Sequence, residues 1–183
     1  DTSDSIFMTS RGGDVYDRPF LEGHLRPGIG LRNWVSRTNY PALNVVATGA
    51  AEMSLYVNHD YASPTSHLRR YSLRTDGFAS IRAGAETGEL LTKPFTFDGG
   101  ALSINFSTSA AGGIRFELTA ADGTPRPGYT LAESAEVIGN EIDRRVTWNN
   151  SDDVAPLRGQ VVRLRCQLRD ADLYAFQFVA REP

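Results

Sequence analysis

The sequence predicts an all-β protein: an antiparallel β-sandwich preceded by an N-terminal segment of short strands and loops. Three observations carry this. Apolar and polar residues alternate in runs, as in Leu102, Ile104 and Phe106 against Ser103, Asn105 and Ser107, and again in Ile114, Phe116 and Leu118. Period two is the mark of a strand with one buried face. The runs are short and are punctuated by Gly, Pro and Asp-Gly. No stretch carries a convincing long helical pattern. Many short strands with regular turns point to two packed sheets.

In chain order, residues 1–40 alternate short apolar runs with Gly and Pro. Pro19, Gly23, Pro27, Gly28 and Gly30 exclude a long helix. Leu43–Ala47 and Glu52–Val57 read as strands, the second with Met53, Leu55 and Val57 on one phase. His59–His67 reads as a loop, and Leu68–Arg74 as a strand with a charged face. Thr75-Asp76-Gly77 is a turn signal and a soft boundary, giving an N-terminal β segment over 1–75 and a sandwich over 76–183.

Phe78–Ala83 reads as a strand, with Ala79, Ile81 and Ala83 on one side. Leu91, Phe95 and Phe97 share a phase, but Pro94 demotes that run to an edge strand or bulge. Leu102–Phe106 and Ile114–Leu118 are expected to form a hairpin around the turn-like Ala110-Ala111-Gly112-Gly113. A hairpin alone is marginal in water, so the rest of the chain must supply a second apolar layer. Thr130–Val137 is ambiguous, Ile142–Trp148 reads as a strand and Asn149–Asp153 as a polar loop. Val162, Leu164, Cys166 and Leu168 alternate with Arg163, Arg165, Gln167 and Arg169. Asp170-Ala171-Asp172 then reads as a turn, with Tyr174, Phe176 and Phe178 on one phase beyond it. The expected core is Leu102, Ile104, Phe106, Ile114, Phe116, Leu118, Leu164, Cys166, Leu168, Phe176 and Phe178.

The 183 residues suit one large domain, or a domain and part of another. Lys plus Arg number 19 against 22 Asp plus Glu, for a net charge of −3. No basic excess points to nucleic acid or an anionic membrane. No apolar run approaches the ~20 residues needed to span a bilayer. The opening DTSDSIFMTS lacks a basic start followed by an apolar stretch, so it does not read as a signal peptide. Cys166 is the single cysteine, which excludes an intrachain disulfide. That fits a cytoplasmic protein, but bacterial secreted proteins often lack disulfides too, so the compartment stays open, with an extracellular or periplasmic setting favoured. Cys166 lies on the apolar phase of its run and reads as a small core residue.

The phrases YDRPFLEGHLRPG, EMSLYVNHDY, LRRYSLRTDGFASI, TKPFTF, LSINFSTSAAGGIRFEL and DADLYAFQF, in that order, resemble the end of a bacterial glycoside-hydrolase-like family. In that family a five-bladed β-propeller, similar to those of β-fructosidases and arabinanases, is followed by a β-sandwich. The resemblance implies that residues 1–70 correspond to the last part of a propeller and 71–183 to the sandwich. It also implies that the catalytic carboxylates lie in earlier blades. A four-stranded blade takes roughly 40–50 residues, so no full propeller fits here. The partners implied are carbohydrate and the missing propeller domain or another chain. Residues 1–70 are then expected to be β-structure that packs on the sandwich and exposes an apolar face, at Phe7, Phe20, Leu55 or Tyr56.

Glycoside hydrolysis needs two carboxyl groups flanking the scissile bond. The best pair is Glu22 with Asp17 or Glu52, yet nothing in their spacing selects them, so no catalytic residue is assigned. Asn33-Trp34 and Trp148-Asn149-Asn150 each set an indole beside an amide. Sugars stack on aromatic rings while amides and acids take their hydroxyls. The candidate carbohydrate contacts are therefore Trp34, Asn33, Trp148, Glu22 and His24, against the reading that a tryptophan is core with its N–H satisfied. Asp152-Asp153 and Asp170-Ala171-Asp172 lack the spacing of a calcium loop. His24, His59 and His67 lack that of a zinc site. No metal or cofactor is expected. The function expected is a non-catalytic sandwich region that braces a catalytic domain or binds carbohydrate. The alternative is part of an active glycosidase, with residues near Glu22 contributing to the site.

Overall fold

The computed structural model describes residues 2–35 and 37–181. By internal contacts the chain divides into two units, Asp1–Thr75 and Asp76–Pro183. Both are built from β-strands, joined by loops and two short 3-10 turns, with no α-helix among the described residues.

In the first unit β1 (Ser5–Ile6) and β2 (Gly23–Leu25) form a small antiparallel pair. A three-stranded antiparallel sheet follows, in the order β3 (Val46–Gly49), β4 (Glu52–His59), β5 (His67–Arg74). The central strand is the buried one: Leu55, Val57 and His59 alternate inward. Leu55 is buried at 8% exposure, contrary to its expected exposure, and pairs with Tyr71 of β5. Phe20 and Tyr56 are exposed, as are Ile29, Leu31 and Leu43. The N-terminal residues are laced to the buried pair Thr38 and Asn39. Ser3 Oγ donates to the Thr38 carbonyl at 2.6 Å, Ser5 Oγ to the Asn39 carbonyl at 2.9 Å, and Asn39 Nδ2 to the Ser3 carbonyl at 3.0 Å. Buried polar groups are tolerated when bonded in this way.

The second unit is an antiparallel β-sandwich organised on two long strands, β8 (Ala101–Ala120) and β10 (Val162–Val179). They pair along their whole length, from Val162↔Ala120 to Val179↔Ala101. The outer strands are β6 (Ile81–Ala83), β7 (Gly88–Leu91) and β9 (Asn140–Arg145). The expected hairpin at Ala110–Gly113 is not formed, because β8 runs straight through it. The expected turn at Asp170–Asp172 is not a turn either, because β10 continues past it. Twenty extended residues would reach about 66 Å, far more than a domain of this size allows. The pair therefore bends, and the register shows where. Arg169 faces Gly113 and Ala171 faces Thr108, so four residues of β8 bulge opposite Asp170 alone. Asp170 takes a left-handed φ of 42° there. Such bulges bend and twist a sheet.

The bulge divides the pair into two halves, residues 101–108 with 171–179 and residues 113–120 with 162–169. Both halves turn an apolar face into one cluster. Leu102, Ile104, Phe106, Ile114, Phe116, Leu118, Leu164, Cys166 and Leu168 are all at most 2% exposed. Burial of this kind contributes about 1.5–3 kcal/mol per large side chain. It also pushes the Cys166 thiol far above its ordinary range, which leaves it a core residue. Phe176 departs from the expected core at 36% exposure, and Phe178 is only partly buried. The register shift after Arg169 turns Ala171 and Leu173 inward, and the shift after Leu173 sets Phe176 and Phe178 opposite Ile104 and Leu102 again. Phe178 stacks on Phe97 with centroids 3.9 Å apart, while Phe176 meets Phe95 at 6.2 Å.

Candidate functional site

The two Trp-amide pairs have opposite fates. Trp148 is 2% exposed. Its indole N–H donates to the Phe116 carbonyl at 2.9 Å, and Tyr129 packs edge-on at 5.7 Å. No face of that ring is free to stack on a sugar; it is a core residue of the sandwich. Asn149 and Asn150 follow with left-handed φ of 48° and 67°, which shape the polar loop.

Trp34, in contrast, is 57% exposed. It follows a 3-10 turn at Leu31–Asn33 in the first unit, and its own N–H closes that turn on the Leu31 carbonyl. Asn33 anchors the turn: its Nδ2 donates to the Ile29 carbonyl at 2.9 Å, and its Oδ1 faces His59 Nδ1 at 3.1 Å. Asn33 is therefore a positioning residue rather than a free sugar contact.

Next to this turn lies a cleft of about 430 Å³ lined by Arg32, Val35, Arg37, Tyr61, Ala62 and Ser63. Four left-handed residues shape its walls: Arg37, Asn39, Asp60 and Ala62 have φ between 52° and 65°. Arg37 donates to the Tyr61 hydroxyl at 3.0 Å and lies over its ring at 5.6 Å. Arg32 donates to Thr65 Oγ1 at 3.1 Å, and that hydroxyl donates to Asp60 Oδ2 at 2.6 Å. The sequence reading missed Arg32, Arg37 and Tyr61. The signal was there in Arg32-Asn33-Trp34 and Arg37, cations interleaved with an aromatic ring, but Tyr61 reaches them only through the fold.

The remaining candidates do not join this cleft. Glu22 and His24 are exposed beside and on β2, with the His24 ring 5.7 Å from Phe7. Glu52 is held on β4 by an ion pair with Arg70 and by the Thr48 hydroxyl at 2.8 Å. Asp17 bridges to Thr9 through the backbone. Both Asp152 and Asp153 pair with Arg181, and Asp172 accepts from Ser80 at 2.7 Å. Among the described residues, no three His, Cys, Asp or Glu side chains come together as a metal site would require.

His59 connects the site to the sheet. Because Asn33 Oδ1 can only accept, His59 Nδ1 carries the proton, and Nε2 accepts from the Tyr71 hydroxyl at 3.0 Å. The ring stacks between His67 at 5.7 Å and Tyr71 at 5.9 Å. Burial holds its pKa below the ordinary value of about 6.5, helped by Arg69 and His67 and opposed by Asp60. A depressed histidine pKa means that the unfolded chain binds the proton more readily. The contribution of the neutral ring is therefore present above about pH 6.5 and is lost as pH falls through that value toward the folded pKa. Thermal unfolding at pH 7.5 and pH 5 should show the loss, and His59→Gln should flatten the difference. An unchanged pH dependence in the variant would remove His59 as its source.

No family model, no curated protein and no solved structure matches the chain.

Proposed function

We propose that the chain is a non-catalytic β-sandwich region of a glycoside-hydrolase-like protein, and that its first unit binds carbohydrate. The observation that carries this is the exposed Trp34 indole beside a cleft of polar and aromatic groups. An aromatic ring open to solvent, carried on a turn that Asn33 ties to Ile29 and His59, offers a stacking face for a sugar. Sandwich folds host many unrelated activities, so the reading rests on the site together with the family resemblance.

Calorimetric titration of the full chain with plant and algal oligosaccharides tests it. Trp34→Ala should weaken binding by roughly tenfold, equivalent to about 1–1.5 kcal/mol for a lost stacking face. Folding should be preserved, because the ring is largely exposed. Binding that survives Trp34→Ala unchanged would sink the assignment.

A second reading, bracing of a catalytic domain, is supported by Ile29, Leu31 and Leu43, each about nine-tenths exposed or more. Apolar side chains of this kind suit contact with another domain. The enzymatic alternative rests on Glu22, and hydrolysis abolished by Glu22→Gln would promote it over both.

A further inference from the structure

We infer that the cleft beside Trp34 selects acidic saccharides, with Arg32 and Arg37 taking a uronate carboxylate or a sulfate ester. This deepens the carbohydrate-binding reading above and rests on it. The cleft presents two guanidinium groups, and none of the six lining residues carries a carboxylate. Among the described residues neither arginine makes an ion pair, as is true of other arginines such as Arg18 and Arg158; what distinguishes these two is that they line one cleft together. Asp60, beside Tyr61 in the chain, accepts from Thr65 rather than from either arginine.

Arg37 is also preoriented. Its Nη1 donates to the Tyr61 hydroxyl and its plane lies over the Tyr61 ring, so one edge of the fork is fixed while other N–H groups remain to donate. A planar guanidinium matches a carboxylate or sulfate through paired N–H donors, a geometry that a neutral hydroxyl cannot reproduce. Val35 and Tyr61, which line the cleft, supply apolar surface for the sugar ring to which the anion is attached, with the exposed Trp34 next to Val35 in the chain. The chain is net acidic at −3, so attraction of such polymers needs a local source of positive charge rather than an overall one.

The experiment titrates the full chain with three oligosaccharide sets of equal length: galacturonate oligomers, sulfated galactan oligomers and neutral galactan oligomers. The variants are Arg32→Gln, Arg37→Gln and Trp34→Ala. Arg82→Gln serves as a charge-matched control, because Arg82 lies in the second unit, exposed and 4.0 Å from Asp172. Acidic oligomers should bind about tenfold tighter than neutral ones or better, as charge-assisted hydrogen bonds allow. Arg32→Gln and Arg37→Gln should each erase most of that margin, leaving weak neutral binding and the Arg82→Gln control unchanged. Whether galacturonate or sulfated galactan binds more tightly identifies the source of the anion. Neutral oligomers that bind as tightly as acidic ones, in a Trp34-dependent way, would overturn the acidic preference and leave the carbohydrate reading standing. Equal losses in Arg82→Gln and the cleft variants would also overturn it, as attraction to charge in general. No binding of any set by the folded chain would remove both readings.

Discussion

Replacing Trp148 by alanine should destabilise the sandwich by about 3–5 kcal/mol, the cost of deleting a large aromatic side chain from a packed core. The indole is 2% exposed, meets Tyr129 edge-on and donates to the Phe116 carbonyl. It sits where the chain returns to Ser134 through an isolated bridge, so its loss frees a loop as well as a cavity. Trp148→Phe keeps most of the volume but leaves the buried Phe116 carbonyl without its donor, and should cost less, about 1–3 kcal/mol. Urea unfolding followed by circular dichroism separates the two, because Trp34 fluorescence reports on the other unit. A Trp148→Ala protein as stable as the wild type would mean that the ring is not core.

The strands were legible because alternation is a local signal. Leu102, Ile104, Phe106, Ile114, Phe116 and Leu118 announce an inward face without reference to any partner, and all six are fully buried. What the sequence did not disclose is how the strands connect. Gly112-Gly113 and Asp170-Ala171-Asp172 are the same residue types whether a chain reverses or merely bends. Only the pairing of β8 with β10, about sixty residues away, decides for a bend. The same long-range pairing decides Ala171 and Leu173. The shift after Arg169 gives them inward places, and the shift after Leu173 returns Phe176 and Phe178 to positions opposite Ile104 and Leu102, so phase alone does not account for the exposure of Phe176.

The site was legible to a similar depth. Both tryptophans stand beside an asparagine, so residue type alone could not tell the exposed ring from the buried one. Trp148 is claimed by a carbonyl 32 residues away, and Trp34 follows a turn that Asn33 ties to His59. Arg37 and Tyr61 lie 24 residues apart, and the left-handed backbone at Arg37, Asp60 and Ala62 is what brings their segments to one cleft. Such backbone conformations are uncommon for residues with a Cβ, and no local pattern in the sequence marks them.

The bend in β8 also sets the second large expected effect. A Cβ built at Gly112 would collide with the backbone carbonyl oxygens of Asp170 and Arg169, while nothing lies within 4 Å of one built at Gly84. The Gly112 φ is not left-handed, so the demand is for space rather than for a conformation that only glycine adopts. The obstruction is main chain of the partner strand at its own bulge, and it cannot turn aside as the end of a flexible side chain would. Gly112→Ala should therefore force β8 and β10 apart where they bend and cost about 3 kcal/mol. Gly84→Ala, by contrast, should be neutral or stabilise slightly, by about 0.4–1 kcal/mol, through a less flexible unfolded chain. The two variants make the same chemical change, so the difference in their denaturation midpoints reports the close approach alone. Equal midpoints would show that the strands have room at the bend, and that the bulge opposite Asp170 is not what folds the sandwich over.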